Sequence, residues 1–334
     1  MGLHGSFASS VIAQADTATG GDALERFIYT LAQGLAQGSI YALVALGFVL
    51  VFKATRAVNF AQGAIALVTA WFFSLVLIDW AIPGRWIDAN RYVEWFLSLA
   101  IAIAIAVILG LVIERLIIRP MIGEPLFAIA VITLGLEALL RTIGTDAVTI
   151  NTRSLLIPWG AQQFQIAGAT IYWSWIATFI VTAVSFIGVF LFFRTRTGIA
   201  MRAVAFDQEA ALAQGIPVGK VFAIAWAASS ALALVAAVCA SMSPIGVGTV
   251  TIGISGLALR SLPAVILGGL DSVPGALVGG LVIGLAEVFA GNYLAEYTNT
   301  LGTGYALIVP YVVMLLVLLF RPYGLFGTPE IRRV

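Results

Sequence analysis

Few side chains in this sequence are equipped for covalent chemistry, and their placement argues against it. The one histidine, His4, lies close to the amino-terminal end, and the one cysteine, Cys239, sits in an apolar run. Neither a histidine-rich metal site nor a disulfide framework follows from such a set. No paired carboxylates, activated nucleophile or metal cluster is visible, so chemistry on a bound solute is not expected. Two carboxylates do fall within apolar segments, Glu137 and Glu287. Burying them is costly, which marks each for a functional role by default. Glu137 has Arg141 four residues on as an ion-pair partner. Glu287 lies four residues before Gly291, where a helix would reach an outer interface.

Binding and movement have better candidates. Asn59, followed by Gln62 and Gly63, opens an apolar segment, where an unpaired amide would be expensive. Asn59 is therefore expected to line a pathway or gate, to break the helix, or to do both. Gly268, Gly269, Asp271, Pro274 and Gly275 form a second interruption around the turn residues DSVPG. A third feature is RAVAFDQEAALAQGIPVGK at 202–220, a short-chained and partly charged stretch between long apolar runs. In it Arg202, Asp207, Glu209, Ala210 and Ala211 precede Gly215, and the small alanines would let a partner approach the backbone. The chain has no phosphate-binding loop, because Gly215 to Lys220 has the wrong glycine spacing and is followed by Val221. Any nucleotide hydrolysis that drives this protein therefore belongs to another chain.

The elements that position these residues follow from composition. The 334 residues are 61% hydrophobic and only 10% charged, with mean hydropathy +1.05, whereas a soluble domain carries about a quarter charged residues. The expected class is an all-α polytopic membrane protein with no nucleic-acid role. Apolar segments long enough for a hydrocarbon core of about 30 Å lie near 27–52, 57–78, 95–113, 125–143, 173–193 and 221–240. The second is either a full crossing or a re-entrant segment that starts unwound at Asn59. The stretch 257–291 reads as two shorter helices around DSVPG, and 303–320 closes the series before Arg321-Pro322. About eight to nine membrane segments result, including broken or re-entrant short helices.

The positive-inside rule orients them. With the amino terminus outside, Lys53, Arg56, Arg115, Arg119, Arg194, Arg196, Arg202, Lys220, Arg321, Arg332 and Arg333 face the cytosol. Only Arg26, Arg85, Arg91, Arg141 and Arg153 fall opposite, and Arg260 is placed near a membrane boundary. Residues 1–24 form an extracytoplasmic tail without the basic region and short apolar core of a secretory signal, 25–327 the membrane domain, and 328–334 a cytosolic tail. Trp71, Trp80, Trp86, Trp95, Trp159, Trp173 and Trp175 are expected as interfacial anchors. The pairs Gly34 and Gly38, Gly275 and Gly279, and Gly280 and Gly284 permit close helix approach. Packing within the chain is their favoured use, a subunit contact or thin pore wall the alternative.

Several stretches carry a family resemblance. Glu209-Ala210-Ala211 followed by Gly215 resembles the cytosolic coupling motif of ABC importer permeases. QGLAQGSIYALVALGFVLVFKATRAVNFAQG at 33–63, RTRTGIAMRAVAFDQEAALAQGIPVGKVFAIAWAASSALALVAAV at 194–238, LPAVILGGLDSVPGALVGGLVIGLAE at 262–287 and LLFRPYGLFG at 318–327 are similar to branched-chain amino acid ABC permeases of the LivH type. The resemblance covers almost all of 27–327. It implies a type II-like importer permease in the bacterial cytoplasmic (inner) membrane, with a coupling helix at about 203–216. It also implies as partners a homologous permease of LivM type, two cytosolic ATPase subunits that bind ATP and Mg, and a periplasmic solute-binding protein. This chain itself would bind no cofactor. Relatives of this type carry branched-chain or other amino acids, amides or urea, so the solute stays open. An ion-coupled secondary transporter and a passive channel are the alternatives outside the family.

Overall fold

The structure is a computed structural model that describes residues 22–82, 84, 90–150, 153–242, 246, 248–298, 302 and 304–327. His4, Arg85, Trp86, Arg332, Arg333, most of the 1–24 tail and the 328–334 tail lie outside the described residues.

Long charge-poor runs make helices here because a backbone in lipid must satisfy its own hydrogen bonds. The helices are α1 (Asp22–Thr55), α2 (Gln62–Ser74), α3 (Arg91–Ile113), α4 (Leu126–Ile150), α5 (Trp173–Phe192), α6 (Arg196–Phe206), α7 (Gln208–Ala213), α8 (Val218–Ser241), α9 (Leu257–Gly268), α10 (Val273–Tyr293) and α11 (Tyr305–Phe320). Wide turns at Leu75–Asp79 and Glu114–Ile118 prolong α2 and α3, and a tight turn at Ile252–Gly256 leads into α9. Seven helices among the described residues are long and apolar enough to cross a membrane, and Ile252–Gly268 and Tyr305–Phe320 are shorter apolar helices.

The core is built on α1. Its apolar stretch is 83% buried, against 28% for Arg91–Met121 and 22% for α5. Helix α10 lies along it, and glycine makes the approach possible. A methyl group at Gly38 would stand 2.8 Å from Leu281 Cα and 2.9 Å from the Gly280 carbonyl oxygen, while Gly284 rests on the Gly38 backbone. Gly34, Gly38, Gly280 and Gly284 thus serve packing inside this chain. Gly279 packs in the same way against Ala264 of α9.

Four short strands were not anticipated. β1 (Arg153–Ser154) pairs antiparallel with β4 (Thr249–Val250), and β2 (Gln163–Ile166) with β3 (Ala169–Tyr172). Ala167 and Gly168, at φ 51° and 86°, make the tight turn that a two-residue hairpin favours. The ladders satisfy backbone groups of connections that are not helical.

Two tryptophans correct the expectation of interfacial anchoring. Trp95 and Trp175 are 2% and 3% exposed, and Trp95 Nε1 donates to the Leu155 carbonyl at 2.9 Å. Trp95 packs edge-on against Phe73 and Trp159, so it ties α2 and α3 to the loop before β2. Trp80 and Trp173 are exposed, at 44% and 48%. α4 runs further than the expected 125–143, and its Glu137 and Arg141 pair at 3.2 Å, one turn apart.

Candidate functional site

Three connections hold the candidate residues, and residues of all three meet in one crevice. Lys53, Arg56, Arg202, Ala205, Phe206 and Asp271 line one crevice, which continues past Pro274 to Phe326. The end of α1, the α6–α7 segment and the α9–α10 break therefore share a face. Its excess of basic residues is what the positive-inside rule puts in the cytosol.

The stretch 203–216 is two helices rather than one. Asp207 is extended, with φ −154° and ψ 110°, and its Oδ1 accepts from the Ala210 N–H at 2.9 Å. An aspartate that caps the following helix in this way ends the preceding one. Ala211 is buried, whereas Glu209, Ala210 and Gly215 are exposed. Gly215 takes φ +78° and ends the segment, with no atom within 4 Å of where a methyl group would stand. Two large apolar side chains flank the turn in the open, Phe206 at 89% and Leu212 at 51% exposure.

A hydrogen bond joins this segment to the first helix break. Arg56 Nε donates to the Ala205 carbonyl at 2.7 Å, from a backbone at φ 58° that non-glycine residues seldom adopt. From Arg56 the chain runs unwound to Ala61, and Gln62–Asp79 beyond it is long and apolar enough to cross a membrane. The Phe60 N–H donates to Thr133 Oγ1 of α4 at 3.3 Å.

Asn59 and Gln62 then close a buried network, each 1% exposed. Asn59 Oδ1 accepts from the Ala61 N–H and its Nδ2 donates to Gln62 Oε1, both at 3.1 Å. Gln62 Nε2 donates to the Ser229 carbonyl at 3.2 Å, and Ser229 Oγ lies 2.9 Å from Gln62 Oε1 and 3.0 Å from the Gly47 carbonyl oxygen. Gly47 sits about two turns from Thr55, roughly 12 Å along α1 at 1.5 Å per residue. Helix α2 therefore begins about two turns back along α1 from Thr55, bound to α1 and α8. Gly63 lies against the Ser255 carbonyl with no room for a side chain, which sets the start of α2 beside the Ile252–Gly256 turn.

The second break is closed by backbone. Gly268 and Gly275 face each other so closely that a methyl group on either would run into the other's carbonyl. Ser272 rather than Asp271 caps α10, its Oγ accepting from the Gly275 N–H at 3.0 Å. Gly269 takes φ +102° and packs on Gly327. The Leu325 and Phe326 N–H groups donate to the Leu267 and Gly268 carbonyls at 2.8 and 3.1 Å. Asp271 is close enough to Lys53 for their charges to interact. The ending LLFRPYGLFG thus satisfies the last carbonyls of α9.

This architecture of broken apolar helices has relatives among transport proteins. The family model described as "Branched-chain amino acid transport system / permease component" matches residues 30–318. The chain belongs to this family. The permease is 30% identical to the high-affinity branched-chain amino acid transport system permease protein BraD of Pseudomonas aeruginosa, over 92% of this chain and 98% of that one. It is also 30% identical to the permease protein LivH of Escherichia coli strain K12, over 93% and 99%. A probable LivH of Methanocaldococcus jannaschii is 28% identical over 86% of this chain and 89% of that one. A solved structure, PsaBC from Streptococcus pneumoniae in complex with Fab, aligns over 87% of this chain and 91% of that chain at 15% identity with a TM-score of 0.47. At that level it informs neither fold nor function. As a permease component, the protein is a membrane-embedded transport subunit and not an enzyme.

Sequence reasoning missed the partners of these residues. Ser229 and Thr133 stand in apolar helices with nothing in their spacing to connect them to Asn59 or Phe60. The Arg56 bond to Ala205 spans 149 positions. The one signal they offered is that small polar residues stand within otherwise apolar runs.

Proposed function

We propose that this permease is the transmembrane subunit of an ATP-driven importer for branched-chain amino acids in the bacterial inner membrane. It crosses nine times, seven long helices and two short ones, with the amino terminus outside and the carboxyl terminus in the cytosol. Its partners are a homologous permease, two cytosolic ATPase subunits that bind ATP and Mg, and a periplasmic solute-binding protein. Residues 1–24 and 328–334 are tails on a membrane domain of 25–327. Asn59, Gln62 and Gly63 form the gate at the start of α2. Arg202, Asp207, Glu209, Ala210, Ala211 and Gly215 form the surface on which an ATPase subunit acts, and Gly268, Gly269, Asp271, Pro274 and Gly275 form the packed break between α9 and α10.

The observation that carries this reading is the bond from Arg56 to Ala205. It joins the exposed apolar residues Phe206 and Leu212, which a partner would cover, to the unwound segment leading to Asn59. Force applied at the α6–α7 turn is delivered there to the one stretch of the first break held by side chains. Alternating access follows when an ATPase dimer closes and moves that turn.

Uptake into proteoliposomes by the co-purified complex with its binding protein tests the reading, with labelled leucine, other amino acids, amides and urea in competition. ATP-dependent, leucine-selective uptake is the expected result. Selective uptake of urea or an amide moves the permease to another solute. Uptake driven by an ion gradient, or proceeding without ATP, makes it a secondary transporter or a channel. Gly215→Leu tests the coupling surface. Space is open there, so the change costs backbone strain of about 1–2 kcal/mol and plants a side chain in the docking face. Assembly is expected to survive and leucine carried per ATP to fall several-fold, and an unchanged ratio removes Gly215 from the coupling surface.

A further inference from the structure

Arg260 stands out because it is exposed on a helix that is otherwise buried along one side by Leu257, Ala258, Ser261, Ala264 and Val265. Helix α9 ends at the break beside the basic crevice, and Arg260 lies about two turns, roughly 12 Å, from that end. Its side chain leans toward the helix start, further from that boundary. With that end at the cytosolic face of the proposed topology, Arg260 reaches into the bilayer from it.

An acidic group is held about 9 Å further from that end, within reach of the long Arg260 side chain's charge. Glu287 of α10 and Tyr41 of α1 each lie about four turns, roughly 21 Å, from the same end. Tyr41 is fully buried, and its hydroxyl donates to Glu287 Oε2 at 2.6 Å, with Gln37 as a further partner. The tyrosine fixes one carboxylate oxygen and leaves the other without a hydrogen-bond partner among the described residues. The Arg260 guanidinium likewise has no hydrogen bond or ion pair among them, yet its charge is close enough to act on both Glu287 and Tyr41. Glu287 is half-buried.

Two opposite charges at mid-depth, each with bonding capacity left open, do not face lipid at tolerable cost. They face water or a polar ligand. The planar guanidinium takes a carboxylate in two parallel hydrogen bonds, and the open oxygen of Glu287 accepts from an ammonium. Both groups are carried on one carbon by a zwitterionic α-amino acid, whereas urea and simple amides carry neither charge. We propose that Arg260 and Glu287 form the station that receives the charged head group of an α-amino acid on its way through the permease. Tyr41 is the positioning residue that aims the carboxylate. The inference rests on the import reading above and narrows its solute class.

The test uses the complete complex in proteoliposomes, with wild type, Arg260→Gln, Arg260→Lys and Glu287→Gln compared for leucine uptake, ATPase rate and co-purification of all subunits. Arg260→Gln is expected to lower leucine uptake at least tenfold with the complex intact, Arg260→Lys to retain an intermediate rate, and Glu287→Gln to lower uptake as well. Wild-type leucine uptake by Arg260→Gln overturns the station while leaving the import reading standing. Dissociation of the two permease chains in both Arg260 variants also overturns it, because Arg260 would then pair with the partner chain. If the wild-type complex carries urea and no amino acid, the import reading for amino acids falls first and the station with it.

Discussion

The chain interrupts its helices between Thr55 and Gln62 and again between Gly268 and Val273, and different chemistry closes the two gaps. At the first, Asn59 and Thr133 accept hydrogen bonds from the unwound backbone, and Gln62 and Ser229 tie Asn59 to α8 and α1. At the second, side chains are removed: Gly268 and Gly275 bring two backbones together, and the 324–327 turn satisfies the α9 carbonyls. Unwound backbone is tolerated in a membrane only where its polar groups find such partners. Side-chain hydrogen bonds can be exchanged for others as neighbouring helices shift, but a glycine contact sealed by backbone cannot. The first break is therefore suited to opening and the second to turning as a rigid corner.

Substitutions separate the two designs, and the largest effect is expected at the corner. Gly268→Val drives a branched side chain into the Gly275 carbonyl, where only backbone can yield. Overpacking of this kind costs about 3 kcal/mol or more, so loss of the monodisperse protein in detergent is the expected outcome. Purification of a variant with wild-type thermal stability would mean that the corner is loose and the contrast false.

A smaller effect is expected at the first break. Asn59→Leu removes the acceptor for the Ala61 N–H and the donor to Gln62, at a cost of about 1–3 kcal/mol for buried groups left unpaired. The protein should still fold and assemble, with thermal stability reduced and ATP-dependent uptake impaired. Unchanged transport kinetics would reduce Asn59 to a packing residue. Ser272→Ala should have the least effect, about 1 kcal/mol for a lost helix cap, because the Gly268–Gly275 contact still holds the corner. A thermal shift as large as that of Asn59→Leu would show that the corner too depends on its side chains.

Much of the framework was legible before any coordinates. Asn59 at the head of an apolar run marked the first break, DSVPG the second, and the basic residues grouped Lys53, Arg56 and Arg202 on one side, where they line one crevice. The tryptophans were less legible. Trp80 and Trp173 are exposed as a boundary residue should be, but Trp95 and Trp175 are buried, because indole's preference for the headgroup level yields to packing when neighbouring helices cover it. Asp207 was placed inside a helix that it in fact ends, since its Oδ1 caps the next one. A capping aspartate and a solvent-facing one look alike in sequence.

By itself, then, the sequence determined the class of solvent, the apolar segments, their interruptions and the charged side, because hydropathy and turn chemistry act over neighbouring residues. Only the tertiary structure decided that Gln62 meets Ser229, that Arg56 holds Ala205, and that Tyr41 donates to Glu287. Those pairings join residues 149 to 246 positions apart. They depend on which helices lie side by side and at what depth, and the small residues that set the approach of α1 and α10 fix that only once the chain is packed.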